Sequence, residues 1–349
     1  MKKLLLALLA LTTISVAHDF IDGFTAYNTK EYVKAVKLYQ KAANQGHSGA
    51  QNKLGIMYDK GQGVKQNYVK AVKLYQKASK QGHASAQYNL GIMYYQGRGV
   101  TQSYVKAIKL YQKASKKGST GAQINLGDMY YYGQGVKQNY AKAAKLYQKA
   151  SKQGNALAQY SLGVMYYKGQ GVKQSYVKAQ KLFGKISNQG HTGAQNNLGV
   201  MYKNGQGLKQ SYVKAQELFG RAANQGHASA QYNLGIMYYE GRGVKQSYIK
   251  AKELFGKACD GGSIRGCKVY ANLNNDSPGI SVSYRANTEV LQKANEFCNK
   301  KGLIVETLEV NTIPAAPGRL GSTDLRFRCV STSANTRRLP TPVIRLMQR

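Results

Sequence analysis

A strict internal period governs what this chain can fold into. The segment Gly-x-Gly-(Val/Leu) returns at Gly61, Gly97, Gly133, Gly169, Gly205 and Gly241, always 36 residues apart. In the same phase Leu-Gly recurs from Leu54 to Leu234, and Tyr-x-Lys-Ala begins at Tyr32, Tyr68, Tyr104, Tyr140, Tyr176, Tyr212 and Tyr248. A unit this short cannot enclose a core alone, so repetition at this spacing specifies a stacked array.

Within one unit, Ala86, Leu90, Met93 and Tyr94 fall at i, i+4, i+7 and i+8, one face of a helix, here named helix A. Gly97-Arg98-Gly99 ends it, because glycine accepts the left-handed backbone that closes a helix. Ser103 then stands at an N-cap, as do Asn67, Asn139, Ser175, Ser211 and Ser247 in the other units. Helix B begins there. Its apolar stripe in the second unit is Ala71, Leu74, Tyr75 and Ala78, and Gln81-Gly82-His83 turns the chain into the next helix A. With no Trp and seven Phe against 28 Tyr, tyrosine must supply much of the packing volume, and its hydroxyls need partners.

The run Ala86-Gln87-Tyr88-Asn89-Leu90-Gly91-Ile92-Met93-Tyr94-Tyr95, then Gly97-Arg98-Gly99-Val100, Tyr104-Val105-Lys106-Ala107 and Lys113-Ala114, resembles the Sel1-like repeat, a relative of the tetratricopeptide repeat. The resemblance covers about residues 19–271. It implies an all-α, right-handed solenoid of antiparallel helix pairs, with helix A lining a concave surface. The first unit departs from the pattern: Gly23 lies nine residues before Tyr32, whereas Gly55 lies thirteen before Tyr68. That shorter loop resembles an ordinary tetratricopeptide unit and suits an N-terminal cap.

All four cysteines lie beyond residue 258, and four allow three connectivities. The repeat phase puts Cys259 at the end of a helix B and Cys267 in the first turn of the next helix, so this pair can bridge the turn. It is similar to the bridges of a cysteine-rich Sel1-like subgroup from Helicobacter, for which penicillin binding and β-lactamase activity are reported. Here only one unit carries the pair. Residues 273–279 read as a linker. Beyond it we expect a small α+β unit over 280–335, with a helix near Asn287–Lys301, strands near Leu303–Val310 and Asp324–Val330, and a Cys298–Cys329 staple compensating for a small core. Residues 336–349, with Arg337, Arg338, Pro340 and Pro342, read as a flexible basic tail.

The chain opens with Met1-Lys2-Lys3, an apolar run from Leu4 to Leu11, and Ser15-Val16-Ala17. These are the parts of a signal peptide cut after Ala17, which makes the mature solenoid residues 18–272 and the location periplasmic or secreted. The apolar run is shorter than the ~20 residues of a bilayer span, so no integral membrane segment is expected after cleavage. Removing residues 1–17 leaves 49 basic against 15 acidic side chains, a formal +34. Between Asp59 and Glu217 the only carboxylate side chain is Asp128. Such a charge attracts anionic partners.

Ser-x-x-Lys, the nucleophile motif of serine β-lactamases, occurs at Ser103, Ser175, Ser211 and Ser247, but Asn67 and Asn139 take the same place elsewhere. A cap explains both residue types; a nucleophile explains one. No Ser-Asp-Asn or Lys-Thr-Gly companion occurs. His47, His83, His191 and His227 share one repeat position at the start of helix A, which strings them along the stack instead of converging them on a metal. Capping is the better account, and we expect neither metal nor cofactor.

Two residue sets are candidate contacts. On helix B, Lys70, Lys73, Lys77 and Lys80 form a stripe apart from the apolar face, repeated by Lys106, Lys109 and Lys113 and by Lys142, Lys145 and Lys149. A solvated face normally mixes signs, and this one does not. On helix A, two positions vary while the frame stays fixed: Asn52, Tyr88, Ile124, Tyr160, Asn196 and Tyr232 at one, and Asp59, Tyr95, Tyr131, Tyr167, Lys203 and Tyr239 at the other. Their tyrosines are candidate partner contacts, with half-buried packing as the alternative. The reading is an exported, monomeric scaffold binding a protein or peptide. Two rival readings are a β-lactamase or penicillin-binding activity, as the resemblance implies, and a cationic binder of anionic envelope polymers.

Overall fold

The structure is a computed structural model that describes residues 2–274, 304–313, 322–330 and 343–347, with side chains placed over residues 15–273. It divides into two compact units, Met1–Ala194 with Gln206–Leu208, and Gln195–Gly205 with Lys209–Arg349.

The first unit contains α1 (Lys2–Asn28), α2 (Tyr32–Asn44), α3 (Ser48–Lys60), α4 (Tyr68–Lys80), α5 (Ala84–Gln96), α6 (Tyr104–Lys116), α7 (Thr120–Tyr132), α8 (Tyr140–Lys152), α9 (Ala156–Lys168) and α10 (Tyr176–Ser187). Each helix packs on the next. The odd-numbered helices are helix A of each pair and the even-numbered ones helix B. The second unit holds α11 (Thr192–Asn204, whose first turn belongs to the other unit), α12 (Tyr212–Asn224), α13 (Ala228–Glu240), α14 (Tyr248–Asp260) and α15 (Ile264–Asn274). It also holds an antiparallel sheet of β1 (Ile304–Ile313), β2 (Ser322–Val330) and β3 (Val343–Met347), in the order β1-β2-β3. Val305 faces Cys329 and Asp324 faces Arg345 across the ladders, and a bulge lies between Thr307 and Glu309.

The repeat sequence builds each pair by a fixed set of devices. Gly97 ends α5 at φ 72° and hands its N–H, with that of Arg98, to the Met93 carbonyl. Ser103 N–H takes the Tyr94 carbonyl and Gln102 Nε2 the Tyr95 carbonyl at 2.8 Å each, so three orphaned carbonyls at the helix end find donors. The core alternates large with small. Tyr39, Tyr75, Tyr111, Phe183, Phe219 and Phe255 are the largest side chains with under 2% exposure, and Tyr147 is nearly as buried. Each of these rings lies across a glycine of the preceding helix A, Gly23 for Tyr39 and the Leu-Gly glycine for the others. A Cβ on Gly91 would stand 2.5 Å from Tyr111 Cε1, so only glycine leaves the slot open.

One expectation needs correction. The expected basic tail contains β3, because Val343, Ile344, Leu346 and Met347 supply apolar strand residues that pair with β2. Aligning Gly23 with Gly55 makes residues 16–28, the second half of α1, the first helix A, so its first residues adjoin the expected cleavage point after Ala17. Val16 and Phe20 already pack on the cluster around Ala35, Tyr39 and Leu54. The first loop is short as expected, spanning residues 29–31, with Lys30 at φ 64° in the place glycine takes elsewhere. The Cys259–Cys267 bridge is present. The helix expected at 287–301, most of the linker, and Cys298 of the second bridge lie outside the described residues.

Candidate functional site

The Ser-x-x-Lys residues are fully engaged as helix furniture. Ser103, Ser175, Ser211 and Ser247 Oγ accept the backbone N–H three residues on at 3.3–3.4 Å, and Asn67 and Asn139 Oδ1 accept theirs at 2.9 Å. The lysine of the motif turns back over an aromatic ring. Lys70, Lys106, Lys142, Lys178, Lys214 and Lys250 Nζ sit 5.1–5.3 Å from the ring centres of Tyr58, Tyr94, Tyr130, Tyr166, Tyr202 and Tyr238. That is cation–π distance. The histidines cap helix A through Nδ1, which accepts from Ala50, Ala86, Ala194 and Ala230 N–H at 3.1–3.2 Å. Burial holds His47, His83 and His191 below the ordinary value of 6.5, which keeps Nδ1 an acceptor. Among the described residues no three His, Cys, Asp or Glu side chains converge.

The two variable helix A positions prove to be tied to the following repeat. Tyr95, Tyr131 and Tyr167 are half-buried, and their hydroxyls each donate at 2.9 Å to Gln134, Gln170 and Gln206, the middle residue of the next Gly-x-Gly. Tyr27 does the same to Gln62 at 3.1 Å. Where the position holds Asp59, the middle residue is Arg98, at 3.8 Å. The rings of Tyr95, Tyr131 and Tyr167 also tilt onto Tyr104, Tyr140 and Tyr176 with centres 5.1–5.4 Å apart. Tyr239 packs similarly on Tyr248 but is 40% exposed.

At the other position the ring again matches its neighbour. Tyr88 and Tyr160 lie over Gly121 and Gly193, where a Cβ would meet them at 2.8 and 3.1 Å. Where the position is Asn52 or Asn196, Asn89 or Asn233 of the next helix A donates to it at 3.0 or 2.9 Å, and the residue at the glycine position is Ser85 or Ser229. Ile124 is followed by Leu157, which packs against the same cluster. Tyr232 lies on Phe255, ring centres 5.7 Å apart. From Asn52 to Asn196, small stands opposite large, polar opposite polar and apolar opposite apolar between successive repeats. Each tyrosine nevertheless keeps part of its ring at the surface.

The lysines named above on α4, α6 and α8 are all exposed, and none pairs with a carboxylate among the described residues. A further inter-helix device escaped the sequence reading. Gln51, Gln87, Gln159 and Gln231 are buried and donate Nε2 to the carbonyls of Ala43, Ser79, Ser151 and Ala223, fastening α3, α5, α9 and α13 to the end of the helix B before each. The signal was present: glutamine follows the core alanine of helix A in every complete unit.

Paired helices held by Gly-x-Gly turns, aromatic-in-glycine slots and inter-repeat seams define a helical repeat scaffold. The Sel1 repeat model matches residues 29–47, 48–83, 84–119, 120–155, 156–191, 192–227 and 228–263, more than half of the chain, and the protein belongs to the Sel1-repeat family. Among solved structures, it is similar to c5321, a protective antigen present in uropathogenic Escherichia coli strains displaying an SLR fold. Identity is 31% and the TM-score 0.68, over 81% of this chain and 62% of that one, so the match spans less than two thirds of c5321. It is also similar to a Sel1 repeat protein from Oxalobacter formigenes, 30% identical with a TM-score of 0.62, over 69% of this chain and 96% of the other. No curated protein matches at a significant level.

Proposed function

We propose that this Sel1-repeat scaffold, of a class that typically mediates protein–protein contacts, is exported and binds a protein or peptide across the helix A side of its repeats. One observation carries the reading. Tyr95, Tyr131 and Tyr167 return on successive A helices with their hydroxyls pinned to Gln134, Gln170 and Gln206 and part of each ring at the surface. A ring held this way loses little freedom on binding, which is the economy that makes tyrosine an effective contact residue. The basic start and apolar run before Ala17 support export, and the likeness to a protein described as a protective antigen agrees with it.

The test has two arms. Mass determination of the amino terminus of protein recovered from fractionated cells should give a chain starting at His18 outside the cytoplasm; an intact Met1 start in the cytoplasm refutes export. For binding, wild-type chain and a Tyr95, Tyr131, Tyr167→Ala variant of unchanged helicity are used as baits for envelope proteins. The partner should be retained by the first and lost by the second, with faster dissociation. Equal retention refutes the helix A reading.

A further inference from the structure

The helix B face of the first unit has a charge pattern that neither solubility nor the frame requires. Helices α4, α6, α8 and α10 carry 15 lysines, no arginine and no carboxylate. They share core clusters: Leu110 of α6 packs against the cluster that holds Ala71 and Tyr75 of α4, and Leu182 of α10 packs against the cluster that holds residues of α6 and α8. Along each helix the lysines follow at i, i+3 and i+7, so at 1.5 Å per residue they stand about 4.5 and 6 Å apart. Repeated over four helices, with the first lysine of each resting over a tyrosine ring, this sets rows of lysines on successive repeats, called here the lysine lattice.

The second unit shows that the pattern is not imposed by the repeat. Glu217 of α12 and Glu253 of α14 occupy the position of Lys73, Lys109, Lys145 and Lys181, and Glu253 binds Lys257 at 2.6 Å. The same frame therefore tolerates a mixed face and has one in α12 and α14, while the first unit has none. Beside the lattice, Val69, Val105 and Val177 are 52%, 56% and 51% exposed in the first turn of α4, α6 and α10. The same repeat position is exposed as Val33 in α2, Val213 in α12 and Ile249 in α14, so the apolar residue belongs to the repeat, and what sets the first unit apart is the unmixed lysine charge beside it.

We infer that the lysine lattice of α4, α6, α8 and α10 docks on a bilayer surface of anionic phospholipid headgroups, the row of valines entering the headgroup layer. The match is a surface of headgroup phosphates against lysine point charges repeated on successive helices, with branched aliphatic side chains beside them. Lysine in place of arginine gives attraction without bidentate readout. The exposed large apolar residues of these helices are valines, which offer no stacking platform for single-stranded nucleic acid. The lattice lies on helix B and the tyrosine rows on helix A, so this inference stands independently of the proposed partner.

Co-sedimentation of the full-length chain with vesicles tests it, using phosphatidylcholine alone and phosphatidylcholine with phosphatidylglycerol. The readout is the ratio of the two partition coefficients, which the apolar N-terminus common to all variants leaves unaffected. Each lysine near an anionic surface is worth roughly fivefold in partition. Changing Lys73, Lys109, Lys145 and Lys181 to Glu, the residue that α12 and α14 already carry, should lower the ratio by about 100-fold or more with helicity unchanged. Glu217→Lys with Glu253→Lys should raise it, and Val69, Val105, Val177→Ser should lower it at constant charge. A ratio near one for the wild type, a ratio untouched by the lysine reversal, or capture by soluble polyphosphate without binding to anionic vesicles would overturn the inference. Serine variants as tight as wild type would overturn the role of the valines.

Discussion

Gly91→Ala and Gly184→Ala are the same change in two helices and should move stability in opposite directions. Alanine in a helix interior gains up to about 1 kcal/mol over glycine from backbone entropy alone. At Gly184, in α10, an added Cβ meets nothing within 4 Å, so that gain stands unopposed and the variant should be about 0.5–1 kcal/mol more stable. At Gly91 the Cβ would lie 2.5 Å from Cε1 and 2.7 Å from Cδ1 of Tyr111, a residue only 1% exposed in the core cluster that also holds Ile108, Met129 and Tyr147. Relieving that overlap costs about 1–3 kcal/mol. Gly91→Ala should therefore sit about 1–3 kcal/mol below Gly184→Ala. Urea unfolding followed by circular dichroism measures the difference. Because a repeat array need not unfold in one step, amide exchange of α5 and α6 against that of α10 localises it. A Gly91→Ala chain as stable as Gly184→Ala would refute the slot argument for every Leu-Gly pair.

Acid should loosen the repeats capped by histidine. His47, His83 and His191 are held below 6.5 by burial, so between that folded value and 6.5 the unfolded chain binds the extra protons; stability is complete above pH 6.5 and falls as the pH drops through the folded values. Denaturation midpoints against pH, compared with a His47, His83, His191→Asn chain that keeps caps without titrating, should show a steeper acid loss in the wild type, and parallel curves would reject the mechanism. Replacing Ser103, Ser175, Ser211 and Ser247 together by Asn should leave helicity and stability within about 0.5 kcal/mol per site, whereas Ala should cost about 1 kcal/mol per cap, read from thermal or urea midpoints. Tyr147→Phe removes a 2.6 Å bond to Asp128 and should cost about 1–2 kcal/mol, while Tyr75→Phe removes a buried hydroxyl with no partner among the described residues and should cost nothing or stabilise; equal costs would contradict the account. Serine at Cys259 and Cys267 should cost the second unit about 2–3 kcal/mol, measured against the bridged chain in the same denaturant series.

The helices were legible because each device that makes one is local. A cap acts over three residues, a Gly-x-Gly stop over two, and the Cys259–Cys267 bridge over eight, and all of them stand in the sequence at fixed phase. What was not legible acts between repeats. The reason for Gly91 lies at Tyr111, twenty residues on, and the partner of Tyr95 lies at Gln134, thirty-nine on. No helical period connects them; only the stacked repeats do. The β3 strand was missed for a different reason. Its apolar residues follow Arg337, Arg338, Pro340 and Pro342, and that flank read as a tail until β2 supplied the partner that a five-residue strand needs.

Variation on a fixed frame is usually taken to mark what a repeat protein recognises, and here it first marks what each repeat asks of the next. Tyrosine is answered by glutamine at Tyr95 and Gln134, and aspartate by arginine at Asp59 and Arg98; a ring over Gly121 becomes an asparagine pair where the residue is Asn52. Exchanging one member of these pairs alone would leave a half-buried polar group or a clash, so each pair constrains which repeat can follow, although Lys203 and Arg242 at the same two positions are not matched in this way. The consequence for binding is a restriction. A partner that reads this surface meets only the part of each ring that the seam leaves open, and the sequence of seams sets the sequence of contacts available to it. A Tyr131→Asp, Gln170→Arg double change, which transplants the Asp59–Arg98 pair into the middle of the first unit, should therefore retain stability better than the two single changes predict. It should at the same time remove a contact from the proposed site. Coupling below about 0.5 kcal/mol in that cycle would mean that the two positions vary independently, and that the tyrosines owe their places to a partner alone.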